Sequence, residues 1–253
     1  MVPVCLAAAG PAFHPGYAAF VGAGLIVGYL VKVAEERRLR LLPTATQRWV
    51  TAGALVGAMV GAKLGLLLYV PWPSWRDSLR EFLVTEWGGR TILGALFGGF
   101  VGVELVKRAL GVTAATGDPY AVALPLGQGL GRLGCFVGGC CYGAPLFPGS
   151  SARHPAQLYE AAFDFAIAGV LFAIRTRPRP AGLLFRWYLL AYAGVRFVVD
   201  FFRGDEKQLL GPLSYAQCFC LACGAWLAWD VRRRLCGDGA GNDEGRALPD
   251  APS

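Results

Sequence analysis

Seven apolar stretches recur along this chain, at 17–33, 50–70, 91–106, 120–137, 158–174, 183–202 and 211–231. Each is close to the roughly 20 residues that a helix needs to cross a bilayer. A water-soluble fold has no interior large enough to hide them all. The expected fold class is therefore all-α, a polytopic integral membrane protein with seven transmembrane helices. The overall composition, 55% hydrophobic against 16% charged, agrees. Residues 1–236 are expected to form one membrane domain around a central cavity, and the polar, glycine-rich 237–253 a disordered cytoplasmic tail. Residues 1–16 lack the basic flank and clean cleavage site of a signal peptide, so the first span is expected to be retained. The third and fourth spans are rich in glycine, and the fourth invites a broken or re-entrant path inside a protein-lined cavity.

The net charge of +7 does not point to nucleic acid, because the basic residues fall on alternate connections. Lys32, Arg37, Arg38, Arg40 and Arg48 follow span one, Lys107 and Arg108 span three, Arg175, Arg177 and Arg179 span five, and Arg232, Arg233 and Arg234 span seven. The positive-inside rule makes these connections cytoplasmic, with the N-terminus outside and the C-terminus inside. The outer loops are then 71–89, 142–155 and 204–210, the first carrying Trp72, Trp75 and Trp87 as interface anchors.

Polar residues inside such spans are the candidates for function. Residues 128–145 are rich in glycine, and Arg132 sits among them; a buried arginine needs an anion, unless it snorkels from a glycine packing face. Pro155 reads as the first residue of a helix capped by His154, after which Gln157, Glu160 and Asp164 share a face. That face lines a pocket or wets the helix entrance. Tyr192, Arg196, Asp200 and Arg203 form one stripe on the sixth span. Asp200 can hold the Arg196 guanidinium while leaving donors for a phosphate; the alternative is a structural ion pair between helices. Arg132 has no acid close in sequence. Lys63 faces a cavity, snorkels, or pairs with Glu86, Glu104 or Asp200. Tyr17 is an aromatic-belt residue or a pocket lining, and His14 is a solvated interface residue. Gly57, Gly61 and Gly65, four residues apart, predict a close helix contact, and Asp118-Pro119 reads as N-cap and N1 of span four.

Of the eight cysteines, Cys5, Cys218, Cys220, Cys223 and Cys236 read as small buried hydrophobes in or near apolar helix. Cys135, Cys140 and Cys141 lie beside the arginine, where a disulfide, a reactive thiol or a metal site is conceivable. Adjacent cysteines are not a usual zinc spacing, so no metal is assigned and no cofactor is expected.

With these segments in hand, the chain resembles the prolipoprotein diacylglyceryl transferases of bacterial inner membranes. The resemblance runs over about residues 15–234, through Gly61-Ala62-Lys63-Leu64-Gly65, Trp87-Gly88-Gly89, Gly131-Arg132-Leu133-Gly134, the stretch from His154 to Glu160, and the stretch from Tyr192 to Arg203. It implies a seven-helix fold and transfer of a diacylglyceryl group from phosphatidylglycerol to the lipobox cysteine of a preprolipoprotein. The implied partners are that lipid, the preprolipoprotein signal peptide and the surrounding membrane lipids. By resemblance Arg132 and Arg196 stabilise the departing phosphate, and Asp200 orients Arg196. Tyr192 and Tyr17 line the headgroup pocket with Lys63, Gly131, Gly134, Gln157 and Arg203. His154 and Glu160 shape the outer side of the cavity.

The chain departs from the family pattern at informative places. Leu93 stands where the family's histidine, the usual candidate base, is expected. Cys135, Gly138 and Cys140 stand where the signature usually has two asparagines and a glutamate; Lys63 replaces an arginine and Asp200 a glutamate. A free thiol is already partly ionised at neutral pH, so a cationic site could dispense with a base, or His154 could serve. Three readings follow: a divergent transferase, a non-catalytic protein that binds anionic lipid, and a thiol-dependent membrane enzyme using Cys140 or Cys141.

Overall fold

A computed structural model describes residues 14–65, 91–203, 208–210 and 213–237. Among the described residues seven helices and a short ribbon follow in order: α1 (Pro15–Leu39), α2 (Thr44–Leu64), α3 (Ile92–Ala109), α4 (Tyr120–Val137), α5 (Ala156–Ile174), α6 (Leu183–Asp200), β1 (Gln208–Leu210), β2 (Leu213–Ser214) and α7 (Tyr215–Gly237). Each apolar stretch has become one helix. The sequence reading missed the antiparallel ribbon, which pairs Gln208 with Ser214 and Leu210 with Leu213 and delays the last helix to Tyr215. Cys5, the three loop tryptophans, Glu86, and the tail from 238 onwards lie outside the described residues.

Side chains are distributed inside out relative to a protein in water. Leu25, Ile26, Val56, Met59, Phe97 and Trp226 are exposed, whereas Lys32, Glu35, Gln157, Glu160, Asp164, Arg196, Asp200 and Asp230 are buried. Exposed apolar surface on this scale, over a charged interior, suits a hydrocarbon solvent. Helices α1 and α5 are long and apolar enough to cross a membrane.

Helix α4 lies between α1 and α5 and also touches α6, while α6 packs on α5 and α7. The core is built from Ala121 and Val122 of α4, Ile167 and Leu171 of α5, and Leu184, Tyr188 and Tyr192 of α6, with Ile92, Leu93 and Leu96 of α3 packed against them. Helices α2 and α3 meet backbone to backbone. A Cβ added at Gly57 would lie 2.2 Å from the Gly98 carbonyl oxygen, at Gly61 2.2 Å from that of Gly94, and at Gly102 2.2 Å from that of Gly53. The four-residue glycine spacing thus creates the close contact expected of it.

The termini of the helices sort into two ends. Glu35 of α1 binds Arg38 and, beyond α5, Arg175; Lys32 reaches Thr51 of α2, which Tyr120 of α4 also contacts at 3.4 Å. Arg186 of α6 pairs with Asp230 of α7. Asp118 corrects a local expectation. Its carboxylate does not cap its own helix, whose N-cap is Pro119, but accepts from the backbone N–H groups of Gly182 (3.0 Å) and Phe185 (3.1 Å) at the start of α6. Those donors have no partner within their own helix, so a carboxylate from a neighbouring loop satisfies them. All these contacts lie at one end, together with the basic connections. The fourth span is a continuous helix despite Pro125, not a broken one, and it ends at Gly138.

Candidate functional site

At the opposite end, the start of α5 meets the ends of α4 and α6. The helix begins one residue later than its proline suggested: Pro155 is the N-cap, and His154 precedes it. Gln157, Glu160 and Asp164 then fall on one face, and all three are buried. Glu160 is the hub. Arg132 of α4 forms an ion pair with its Oε2 through Nε, and Arg196 of α6 and Arg203 just beyond each bring Nη1 to 3.4 Å from its Oε1. Asp200 holds Arg196 from the other side, Oδ1 to Nη2 at 2.8 Å, one helical turn along. The expected Asp200–Arg196 pair is present. The acid for Arg132, absent from its sequence neighbourhood, comes from another helix.

Three guanidinium groups face Glu160 and Asp200, and a third buried carboxylate, Asp164, lies in electrostatic range of Arg132 and Glu160. Around them stand buried polar atoms with no hydrogen-bond partner among the described residues: the Tyr192 hydroxyl, Gln157 Oε1 and Asp164 Oδ1. Leaving such atoms unmatched costs about 1–3 kcal/mol each, which a polar ligand would recover. Tyr192 lies within electrostatic range of Arg132, Arg196 and Glu160, inside the same cluster.

Other expected residues take different places. Gly134 packs against α1, where an added Cβ would meet Phe20 at 3.0 Å and the Tyr17 carbonyl oxygen at 3.2 Å, so its smallness brings Tyr17 beside the arginine helix. Gly131 faces open space, with nothing within 4 Å of an added Cβ. His154 joins an aromatic trio with Tyr159 and Phe202, its Nδ1 3.3 Å from the Tyr159 hydroxyl. It is tied there by backbone bonds to Gly143 and Ala144, and Ala144 N–H in turn donates to Phe202. Lys63 occupies the last turn of α2. Of the acids considered for it, Glu104 binds Lys107 at 2.9 Å and Asp200 binds Arg196. Leu93 is packed against the apolar core.

Cys135, Cys140 and Cys141 come together with their sulfurs within 4.8 Å of one another. Cys135 lies in the last turn of α4, one turn beyond Arg132, and the chain then turns back through Gly139 and Cys141, both with positive φ. Gln157 Nε2 donates to the Cys140 carbonyl at 2.9 Å, fastening this turn to α5.

Ser214 was not among the candidates. Its hydroxyl donates to Asp200 Oδ2 while accepting from Gln217 N–H at 3.1 Å, and its own N–H donates to Gln217 Oε1 at 2.9 Å. This is a reciprocal cap at the start of α7, and its Ser-x-x-Gln signature was there to be read.

A family model described as prolipoprotein diacylglyceryl transferase matches residues 3–229. The chain belongs to this family. A relative from Geobacter sulfurreducens, named phosphatidylglycerol–prolipoprotein diacylglyceryl transferase, is 35% identical over 77% of this chain and 80% of its own length. Relatives of the same name from Clostridium tetani and Azospirillum brasilense are 28% and 29% identical, over 80% and 89% of this chain and 86% and 92% of theirs. Family membership makes the convergence of Arg132, Arg196 and Arg203 on Glu160 the site to interpret. It also accounts for the apolar exterior, which is that of a membrane protein.

Proposed function

We propose that this protein transfers a diacylglyceryl group from phosphatidylglycerol to the lipobox cysteine thiol of a preprolipoprotein. The observation that carries the reading is the convergence of Arg132, Arg196 and Arg203 on Glu160, beside buried polar atoms that have no hydrogen-bond partner among the described residues. Phosphatidylglycerol brings one negative charge on its phosphodiester. The acceptor thiol gives its proton to water or to the departing phosphate, its sulfur attacks the diacylglyceryl carbon next to the phosphate, that carbon's bond to oxygen breaks, and glycerol phosphate leaves with the electron pair. Negative charge builds on the departing phosphate, so guanidinium donors held in a dry site favour the transition state over the ground state. Glu160 and Asp200 hold Arg132, Arg196 and Arg203 in place beforehand. Tyr192 and Gln157 offer hydrogen bonds to the headgroup, and Tyr17 closes the pocket from α1.

In this reading the helices cross a bacterial plasma membrane as seven spans. The N-terminus is outside, the basic end is cytoplasmic, and the arginine cluster lies toward the outer face, where the signal peptide of the acceptor emerges. Residues 237–253 form a cytoplasmic tail. Complementation of a strain depleted of its own transferase tests the activity, with lipoprotein modification scored by mass shift. Modification that disappears with Arg132→Ala supports transfer at this cluster. Correct membrane expression with no modification favours a second reading, binding of anionic lipid without transfer, to which the apolar Leu93 in the expected base position lends support.

A further inference from the structure

The cluster of thiols has no part in the reading above. Cys140 and Cys141 Sγ are 3.6 Å apart, and the Cys135 sulfur lies within 4.8 Å of both. Two sulfurs bound to one zinc ion at about 2.3 Å with tetrahedral angles stand about 3.8 Å apart. The closest pair is therefore already at ligand spacing, and side-chain rotation of about 1 Å would close the widest. The backbone fixes this arrangement. Cys140 N–H donates to the Cys135 carbonyl at 3.0 Å, Gln157 anchors the Cys140 carbonyl, and Cys141 takes a left-handed conformation that few non-glycine residues adopt. A turn held from both sides and strained at Cys141 keeps three soft donors on one point. Sequence spacing hides the site, since the adjacent cysteines become ligands only through that unusual turn.

We propose that Cys135, Cys140 and Cys141 bind a zinc ion as three thiolates, leaving its fourth position open to the acceptor thiol. Among the described residues no fourth cysteine, histidine or carboxylate joins the group, which is the ligand count of a catalytic rather than a structural zinc. Arg132 lies one turn from Cys135 and in electrostatic range of it, so the thiols stand beside a cation. The role rests on the transferase reading. There the acceptor cysteine coordinates the ion and gives its proton to water. The metal-held thiolate then forms the sulfur–carbon bond as the carbon–oxygen bond to the phosphate breaks. Coordination would thus take over the work of the base that Leu93 cannot supply.

The test is cobalt(II) titration of the full-length protein, purified in detergent, reduced and kept anaerobic. One cobalt per chain with a strong sulfur-to-cobalt charge-transfer band and tetrahedral visible bands is expected, displaced by zinc. The band should be lost in Cys135→Ser/Cys140→Ser, and in Cys141→Ser reduced in a protein whose helicity is unchanged, which guards against misfolding of the double variant. A short lipobox-like peptide should shift the visible bands, and its cysteine-to-serine counterpart should not. No charge-transfer band, a band that survives the double variant, or a spectrum indifferent to the thiol peptide would overturn the proposal. So would uptake of copper(I) with refusal of cobalt and zinc, because three thiolates already saturate copper(I). Arg196→Ala, a change in the arginine cluster and not at the thiols, should keep the cobalt spectrum whether or not transfer fails, so the two readings fail separately.

Discussion

Glu160 decides what the arginines can do. Without it, Arg132, Arg196 and Arg203 would repel one another in a medium that screens charge poorly. Glu160→Gln keeps the shape and removes the charge. It is expected to lower stability by about 3–5 kcal/mol, as for other buried pairs broken on one side, read as a lower unfolding midpoint in detergent. Arg196→Lys keeps the charge but loses the planar fork that reaches Glu160 and Asp200 together. Transfer with purified lipid and acceptor peptide should fall by about 10²-fold in kcat, with little change in stability. Helical spacing in the sequence picks out Glu160, Arg196, Asp200 and Arg203, and a glycine-rich setting picks out Arg132; the Arg196–Asp200 pair was legible because i, i+4 geometry is local. Sequence reading missed the hub role of Glu160, whose partners come from two other helices, and gave Asp118 to its own helix when it caps α6. Caps and ion pairs made across the fold carry no local signal.

Elements were far more legible. Seven apolar stretches became seven helices because hydrocarbon-facing length is written directly in the chain. The exceptions were the β1–β2 ribbon and the unbroken α4, where short pairing and glycine content mislead a hydropathy reading. At this scale two glycines separate packing from function. Gly98→Leu would drive a side chain into the Gly57 carbonyl and is expected to cost about 3 kcal/mol or more, seen as loss of folded protein on size exclusion. Gly131→Ala meets nothing within 4 Å and should be as stable as the parent, or gain up to about 1 kcal/mol from helix propensity. A drop in transfer by that variant, with stability intact, would mean substrate occupies the open space beside Arg132.

For the whole molecule, the two ends make the orientation testable. In intact cells an impermeant maleimide should label Phe147→Cys, in the loop after α4, and spare Arg177→Cys, in the connection after α5 among the basic residues, until the membrane is permeabilised. Mass spectrometry of the labelled peptides separates these from native cysteines such as Cys236, which is exposed in the last turn of α7 and not buried as its apolar neighbourhood suggested. Labels in the reverse order would invert the orientation and put the arginine cluster on the cytoplasmic side. The glycine contact between α2 and α3 has a mechanical consequence for the same molecule. Two helices whose backbones touch have no layer of side chains between them to rearrange, so they behave as a single stiff plank. A two-tailed lipid moving sideways from the bilayer cannot slip between them. If the substrate is such a lipid, its way in runs between other helices, and those seams, not the glycines, would set how fast it arrives.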